Sequence, residues 1–451
     1  MQIDLKKIKE TIVETLNQQY FKNILLVGVI TVFAKAIGFF KESVIASKFG
    51  LSELLDTFFI AILIPSFINS VFIDSLKNIF IPNYIIELNT TKNRKSFQST
   101  VVAIMLVIVI VLVLFNFIFA NYILELIFPN HTEAFYALIK SQLFIVLPCL
   151  VFWGFSSIFK GLLEIENKYF VTTITDILTP VSILLCIYFL TTIFQEKVLA
   201  YGTLFGSIAS FSVVMFYAWR NNLIHIGKFE LNDNIREMIR QFPPKIISGF
   251  LSGLNNFIDQ FFAAQLIVGS ISALNYGIKI PSFILGISMV ALGNVLLPHF
   301  SRMIMDNPKN GFHHLFKMLK FIFITGVIVV GLIIVFSEDI IRILFQRNEF
   351  TPSDTYVVSN IQIIFLIYVP FYLCGHVLVK FLTSINKNKF MAWASFAKLA
   401  ANIILNIILI KKYGIYGLAI STTIIFTVNS LVYLVYTFYQ YKLIQGRNEA
   451  S

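Results

Sequence analysis

Residues 35–82 read KAIGFFKESVIASKFGLSELLDTFFIAILIPSFINSVFIDSLKNIFIP. Two apolar runs flank a short turn, and each approaches the roughly 20 residues that a membrane-crossing helix needs. Lys35, Lys41, Glu42, Asp56, Asp74 and Lys77 interrupt them. An ionisable group at membrane depth is costly, so it normally faces protein or a water-filled cavity and marks a substrate path. Part of the stretch recurs. Ile64-Pro65-Ser66-Phe67-Ile68 returns as Ile280-Pro281-Ser282-Phe283-Ile284, and Asn78 and Pro82 return as Asn294 and Pro298, all at one offset of 216. The pattern predicts a duplicated transporter half, with a charged cavity between the copies.

The remainder of the chain agrees with a membrane solvent. Hydrophobic residues make up 57% of the 451 and charged residues 13%, where a soluble chain carries roughly a quarter charged. Mean hydropathy is +0.81. The net charge of +11 does not point to nucleic acid, because the basic residues gather in alternate loops. Cys149, Cys186 and Cys374 lie in apolar runs, and neither they nor the six histidines have metal-ligand spacing. No Gly-rich loop ends in Lys-Ser/Thr. The sequence thus predicts no catalytic residue, no metal site, no cofactor and no nucleotide hydrolysis: not an enzyme, but a transporter drawing on a gradient or on consumption of its product. Residues 1–23 lack a short apolar core and read as a cytoplasmic segment with no removable leader.

Twelve spans fit between 24 and 440. They form an N-lobe over 24–219 and a C-lobe over 246–440, joined by a cytoplasmic loop at 220–245 and followed by a tail at 441–451. Within that loop, 231–242 reads as a separate helix lying on the inner surface. Placing both termini inside puts 23 of the 35 Lys and Arg on inner segments, and only Lys48, Lys197, Arg342, Arg347, Lys411 and Lys412 outside. With six spans per half, both halves start on the same side, so the repeat is parallel. The fold class is an all-α polytopic membrane protein.

Lys35, Gly38-Phe39, Lys41-Glu42, Phe49-Gly50, Asp56, Phe58, Pro65 and Pro82 resemble the N-terminal signature of the MurJ/MviN family of lipid-linked glycan flippases, within the MATE-like superfamily. Gly269 to Tyr276, with Lys279 and Pro281, and Phe345 to Asp354 are similar to further family segments. The resemblance covers nearly the whole chain. It implies that Lys35, Lys41 and Lys279, where the family has arginines, hold the pyrophosphate of a polyprenyl-linked sugar. Lysine binds phosphate as a point charge, not as a planar fork. Asp56 matches a family acidic position, although a carboxylate at a helix start is also favoured by the dipole alone. Asn69 stands where the family has another arginine, and Asp74-Ser75-Leu76 replaces a Glu-Gly-Ala. The family commonly has fourteen spans.

Asp259 and Lys398 fall in the seventh and eleventh spans and read as a buried ion pair or a cation-coupling site. Gly38, Pro65 and Pro281 are candidate hinges. The expectation is a bacterial inner-membrane flippase, acting as a monomer or beside glycan-assembly enzymes. It would move a surface polysaccharide unit or the peptidoglycan precursor lipid II by alternating access. The alternative is a MATE-like multidrug exporter, whose cavity would favour carboxylates over lysines.

Overall fold

The computed structural model describes residues 5–90, 93–129, 131–293 and 296–449. Lys92, Asn294 and the extreme terminal residues of the predicted tails lie outside them. All regular structure among the described residues is helical. The chain runs through Leu5–Phe49, Glu53–Asn89, Arg94–Ile127, Glu133–Ile165, Tyr169–Phe189 and Thr191–Arg220, then Asp233–Ala263, the paired Ser270–Gly277 and Lys279–Gly293, Pro308–Val335, Pro352–Ser384, Asn388–Tyr413 and Ile415–Glu449. These are twelve successive rods among the described residues, as the hydropathy pattern predicts, with the shorter helices Leu296–Asp306 and Ser337–Phe345 on either side of Pro308–Val335. Nine are long and apolar enough to cross a membrane by length and composition. Of the others, Asp233–Ala263 is diluted by Asn255, Asn256, Asp259 and Gln260, and the Ser270–Gly293 region is broken at Ile278. The protein is thus an all-α, multi-pass membrane protein.

The chain separates into two compact units. The first comprises Met1–Glu42, Ala61–Ile123 and Ala137–Phe250; the second comprises Ser43–Ile60, Leu124–Tyr136 and Leu251–Ser451. Within the first, Thr191–Arg220 lies so close to Tyr169–Phe189 that a Cβ on Gly206 would stand 2.5 Å from the Thr179 Cα. Gly202 and Gly206, four residues apart, therefore let two membrane helices touch through their backbones. The second unit is centred on aromatic packing. Phe381 meets Phe300 at 5.2 Å and Phe312 at 4.7 Å, both edge-on.

Arg94–Ile127 and Pro308–Val335 are the most apolar helices, yet only 22% and 11% of their apolar windows are buried. Protein does not cover these surfaces, and lipid is the solvent that can.

One expectation needs correction. The inner-surface helix at 231–242 and the seventh span are one continuous helix, Asp233–Ala263, which runs straight through Pro243 and Pro244. Those prolines deprive the Ile239 and Arg240 carbonyls of their helical donors. Both residues are exposed, so solvent can take over. The residues before this helix are tied down in the first unit. His225 donates its backbone N–H to Gln98, Gly227 donates to Ser99, and the Glu87 carboxylate accepts from Asn232 and Asn234.

Candidate functional site

The first unit holds a polar cavity of about 620 Å³. On the Glu133–Ile165 helix its wall is Trp153, Ser156, Ser157, Lys160 and Glu164. That spacing of 3, 4, 7 and 11 from Trp153 is one face of an α-helix. Opposite it, Thr172, Thr175, Asp176 and Thr179 repeat the pattern, and Ser207 and Ser210 line the third side. The Glu53–Asn89 rod adds Asn69, Asp74 and Lys77. It reaches them through a π-helical turn, Asn69–Ile73, just after Pro65. A π turn inserts an extra residue and so rotates the side chains beyond it.

Two ion pairs cross the cavity. Lys77 Nζ meets Glu164 Oε1 at 2.8 Å, and Lys160 Nζ meets Asp176 Oδ1 at 2.7 Å. Each uses one carboxylate oxygen. Trp153 donates its indole N–H to Ser207 Oγ at 2.9 Å. Ser156 is 7% exposed, and its hydroxyl has no hydrogen-bond partner among the described residues. Of the lining residues, sequence reasoning singled out Asn69, Asp74 and Lys77 and missed the stripe on Glu133–Ile165. The stripe of Ser, Lys and Glu at helical spacing was visible in 153–164, but isolated Ser and Thr are common in membrane helices and do not announce a cavity.

Asp56 is buried in the second unit at 4% exposure. Its Oδ2 accepts the Gly269 N–H at 2.6 Å; its Oδ1 accepts the Ser272 N–H at 2.8 Å and the Ser272 hydroxyl at 2.6 Å. Asp56 thereby caps the N-terminus of Ser270–Gly277, where the helix dipole favours a negative charge. Gly269 makes the geometry possible. It has φ +89°, and a Cβ there would stand 2.8 Å from the Leu51 carbonyl oxygen. In the same unit, Arg347 donates to Ser43 at 2.9 Å, Asn348 to Ser47 at 2.9 Å, and the Glu349 N–H to the Ser47 carbonyl at 3.1 Å. The 43–60 stretch is thus bonded to both 269–272 and 347–349.

Asp259 does not form a direct ion pair with Lys398: no contact within 4 Å joins them among the described residues. The carboxylate accepts from Asn406 at 3.2 Å, Asn402 at 3.4 Å and Thr422 at 3.0 Å. The Lys398 ammonium lies 4.0 Å from the centroid of the Phe426 ring, a cation–π distance.

The remaining predicted residues are distributed as follows. Lys35 is exposed, and its ammonium has no protein partner among the described residues. Lys41 is tied to Glu42 at 2.7 Å. Lys279 is the first residue of Lys279–Gly293, directly after the break at Ile278. Pro281 sits in the first turn of that helix, where a missing N–H costs nothing. Pro65 lies inside Glu53–Ile68 and Gly38 inside Leu5–Phe49, neither of which is interrupted there.

Known proteins resemble this one over most of its length. The family model for lipid II flippase MurJ matches residues 45–449. A protein named "Lipid II flippase MurJ" from Thermosipho africanus is 29% identical over 402 residues, covering 89% of this chain and 82% of that protein. A "Probable lipid II flippase MurJ" from Buchnera aphidicola subsp. Baizongia pistaciae is 27% identical over 414 residues, covering 89% and 80%. A solved structure of lipid II flippase MurJ in an inward closed conformation superposes with a TM-score of 0.78 at 26% identity, covering 93% of this chain and 90% of the other. An inward-facing MATE family multidrug transporter superposes at 0.74 with 12% identity, and so shares the fold. With twelve helical rods and a family match across nearly its whole length, the chain belongs to the MurJ family of lipid II flippases.

Proposed function

We propose that this protein moves a polyprenyl-pyrophosphate-linked oligosaccharide across the bacterial inner membrane by alternating access, with both termini in the cytoplasm. The cargo is lipid II or a surface-polysaccharide unit on the same kind of carrier. The match to lipid II flippases over residues 45–449 carries the reading. Lys35 is the primary pyrophosphate ligand, because its ammonium is not engaged by any of the described residues. Lys279 is the second, at the start of a helix whose N-terminal dipole reinforces attraction for an anion. Lys41 contributes less, being held by Glu42. Lobes over 24–219 and 246–440 rock to expose the substrate path alternately to each side, with the kinks at Pro65 and Pro281 as flex points. In the second lobe, the Lys398 ammonium takes the place of a coupling cation, which makes transport independent of sodium.

The test is reconstitution of the purified protein in lipid vesicles. A fluorescent polyprenyl-pyrophosphate disaccharide should become accessible on the opposite leaflet at a protein-dependent rate, and Lys35→Ala or Lys279→Ala should abolish most of it while arginine at either site retains more. Transport of a cationic dye with no movement of the lipid-linked sugar would establish the multidrug reading in its place.

A further inference from the structure

We propose that His299 and His314 form a two-histidine site for Zn²⁺, which ties together the two helices that carry them. The site lies wholly within the second unit and does not depend on the nature of the cargo.

His299 stands on Leu296–Asp306 and His314 on Pro308–Val335. Asn307 turns the chain between them and caps the second helix, its side chain accepting the Lys309 and Asn310 N–H groups at 3.0 and 3.3 Å. A Cβ on Gly311 would stand 3.1 Å from the Ile304 side chain, so the two helices approach closely at this corner. Neighbours hold both histidines in place: Phe300, Phe312 and Leu315 are buried in one apolar cluster, while His299 and His314 are exposed. With both backbones anchored, little freedom is lost when a ligand bridges the rings.

The two Nε2 atoms are 3.4 Å apart. That is long for a hydrogen bond, in which a nitrogen donor normally stands roughly 2.7–3.2 Å from its acceptor. It is the separation of two ligands on one tetrahedral ion: nitrogens roughly 2.0–2.1 Å from Zn²⁺ are about 3.3–3.4 Å from each other. The ring centres agree. Each lies about 1.1 Å behind its nitrogen, so two imidazoles on one tetrahedral ion have centres about 5.2 Å apart. The centroids of His299 and His314 are 5.2 Å apart. Rings meeting in line across the same gap would stand at about 5.6 Å.

Imidazole nitrogen suits Zn²⁺, Cu²⁺ and Ni²⁺, and not the oxygen-seeking Mg²⁺ or Ca²⁺. A square-planar Cu²⁺ would draw adjacent nitrogens to about 2.8 Å, so the spacing favours Zn²⁺. Among the described residues no third His, Cys, Asp or Glu completes the group. His313, next in the chain, is turned about 100° around the helix from His314 and does not join. Two positions on the ion are left to water, which makes it exchangeable. The separation of 15 residues matches no usual ligand spacing, so only the folded corner brings the pair together.

The experiment uses the full-length protein without a polyhistidine tag, in lipid nanodiscs, titrated with ZnCl₂ by calorimetry and with CoCl₂ by visible absorption. One Zn²⁺ should bind per chain and raise the melting temperature, because it binds the folded corner and not the unfolded chain. Co²⁺ should give the intense visible bands of a tetrahedral site. His299→Ala and His314→Ala should each weaken Zn²⁺ binding at least about tenfold, since losing a ligand costs no less than disturbing an outer-shell partner. His313→Ala should bind as the unaltered protein does. Metal-free melting checks that each variant folds; should one melt early, the Co²⁺ spectrum of the unaltered protein decides. The pale spectrum of octahedral Co²⁺, no saturable Zn²⁺ binding, binding that survives in both alanine variants, or an equal loss in His313→Ala would each overturn the site.

Discussion

Asp56 and Asp259 are both acidic residues inside helices of the second unit, and neither has a cation bonded to it among the described residues. They differ in who answers them. Asp56 is met by two backbone N–H groups and one hydroxyl, all within Gly269–Ser272. Asp259 is met by the side-chain amides of Asn402 and Asn406 and by the Thr422 hydroxyl. Backbone donors are fixed by the chain path. They cannot turn away when the carboxylate leaves, so their desolvation cost falls due in full. Amides and hydroxyls can rotate or exchange roles. The first arrangement is rigid and fixes the 43–60 stretch to the start of Ser270–Gly277. The second is an adaptable shell that tolerates a change in charge.

The largest effect should follow from Asp56→Ala. Three donors lose their acceptor at once, and the expected loss of stability is about 3 kcal/mol or more, with transport reduced to background. Asp56→Asn should recover little, because an amide offers one acceptor oxygen where the carboxylate offers two, and its NH₂ confronts other donors. Thermal unfolding in nanodiscs, set beside transport in vesicles, checks both. Near-normal transport by the alanine variant would remove this attachment from the mechanism.

Gly269→Ala should come next. The positive φ and the 2.8 Å approach to the Leu51 carbonyl must both be accommodated, at about 1–3 kcal/mol. Because the strain displaces the amides without removing the carboxylate, the comparison sharpens here. A variant that loses as much transport as Asp56→Ala would show that position of the donors, and not charge, is what the attachment requires. Lys35→Ala should leave stability within about 0.5 kcal/mol, as for exposed groups without partners, while lowering transport at least about tenfold. A thermal shift as large as that of Gly269→Ala would identify Lys35 as structural.

The contrast also explains what could be read from the chain. Apolar length and the IPSFI repeat at 64–68 and 280–284 revealed the helical rods and their duplication, because those signals are local and summed over many residues. The importance of Asp56 was legible; its partners were not. Two of its three bonds go to the backbone, which has no side-chain signature, and the conformation that presents them depends on one glycine. The Asp259 shell was partly legible, since Asn402 is polar in an apolar span, but the position of Lys398 over Phe426 depends on how two helices pack. The cavity of the first unit is present in the sequence as a helical stripe in 153–164, which by itself does not distinguish a cavity wall from an ordinary membrane helix. Its meaning comes from three further helices turning their own Ser, Thr and Asp toward it.

The smallest effect, and the finest discrimination, lies in Asp259 and Lys398. Without a direct contact, the two interact through space and through the polar residues around Asp259. Asp259→Asn keeps shape and hydrogen-bonding capacity, so Asn402, Asn406 and Thr422 can reorganise around it, at a cost of about 1 kcal/mol. Lys398→Met keeps the bulk of the stem but gives up the contact with Phe426, worth roughly 0.5–2 kcal/mol. If the ammonium stands in for a cation, the two losses overlap, because each single change leaves the other group without its counter-charge. The double variant should then be less destabilised than the sum of the singles by about 0.5–1 kcal/mol, the size expected of neighbouring groups that interact. Transport by the unaltered protein should be the same in sodium and in potassium, and Lys398→Met should introduce a sodium response as the vacated space accepts an ion. Additive losses, together with sodium-dependent transport in the unaltered protein that disappears in Asp259→Asn, would make the Asp259 shell the cation site itself and leave Lys398 a packing residue.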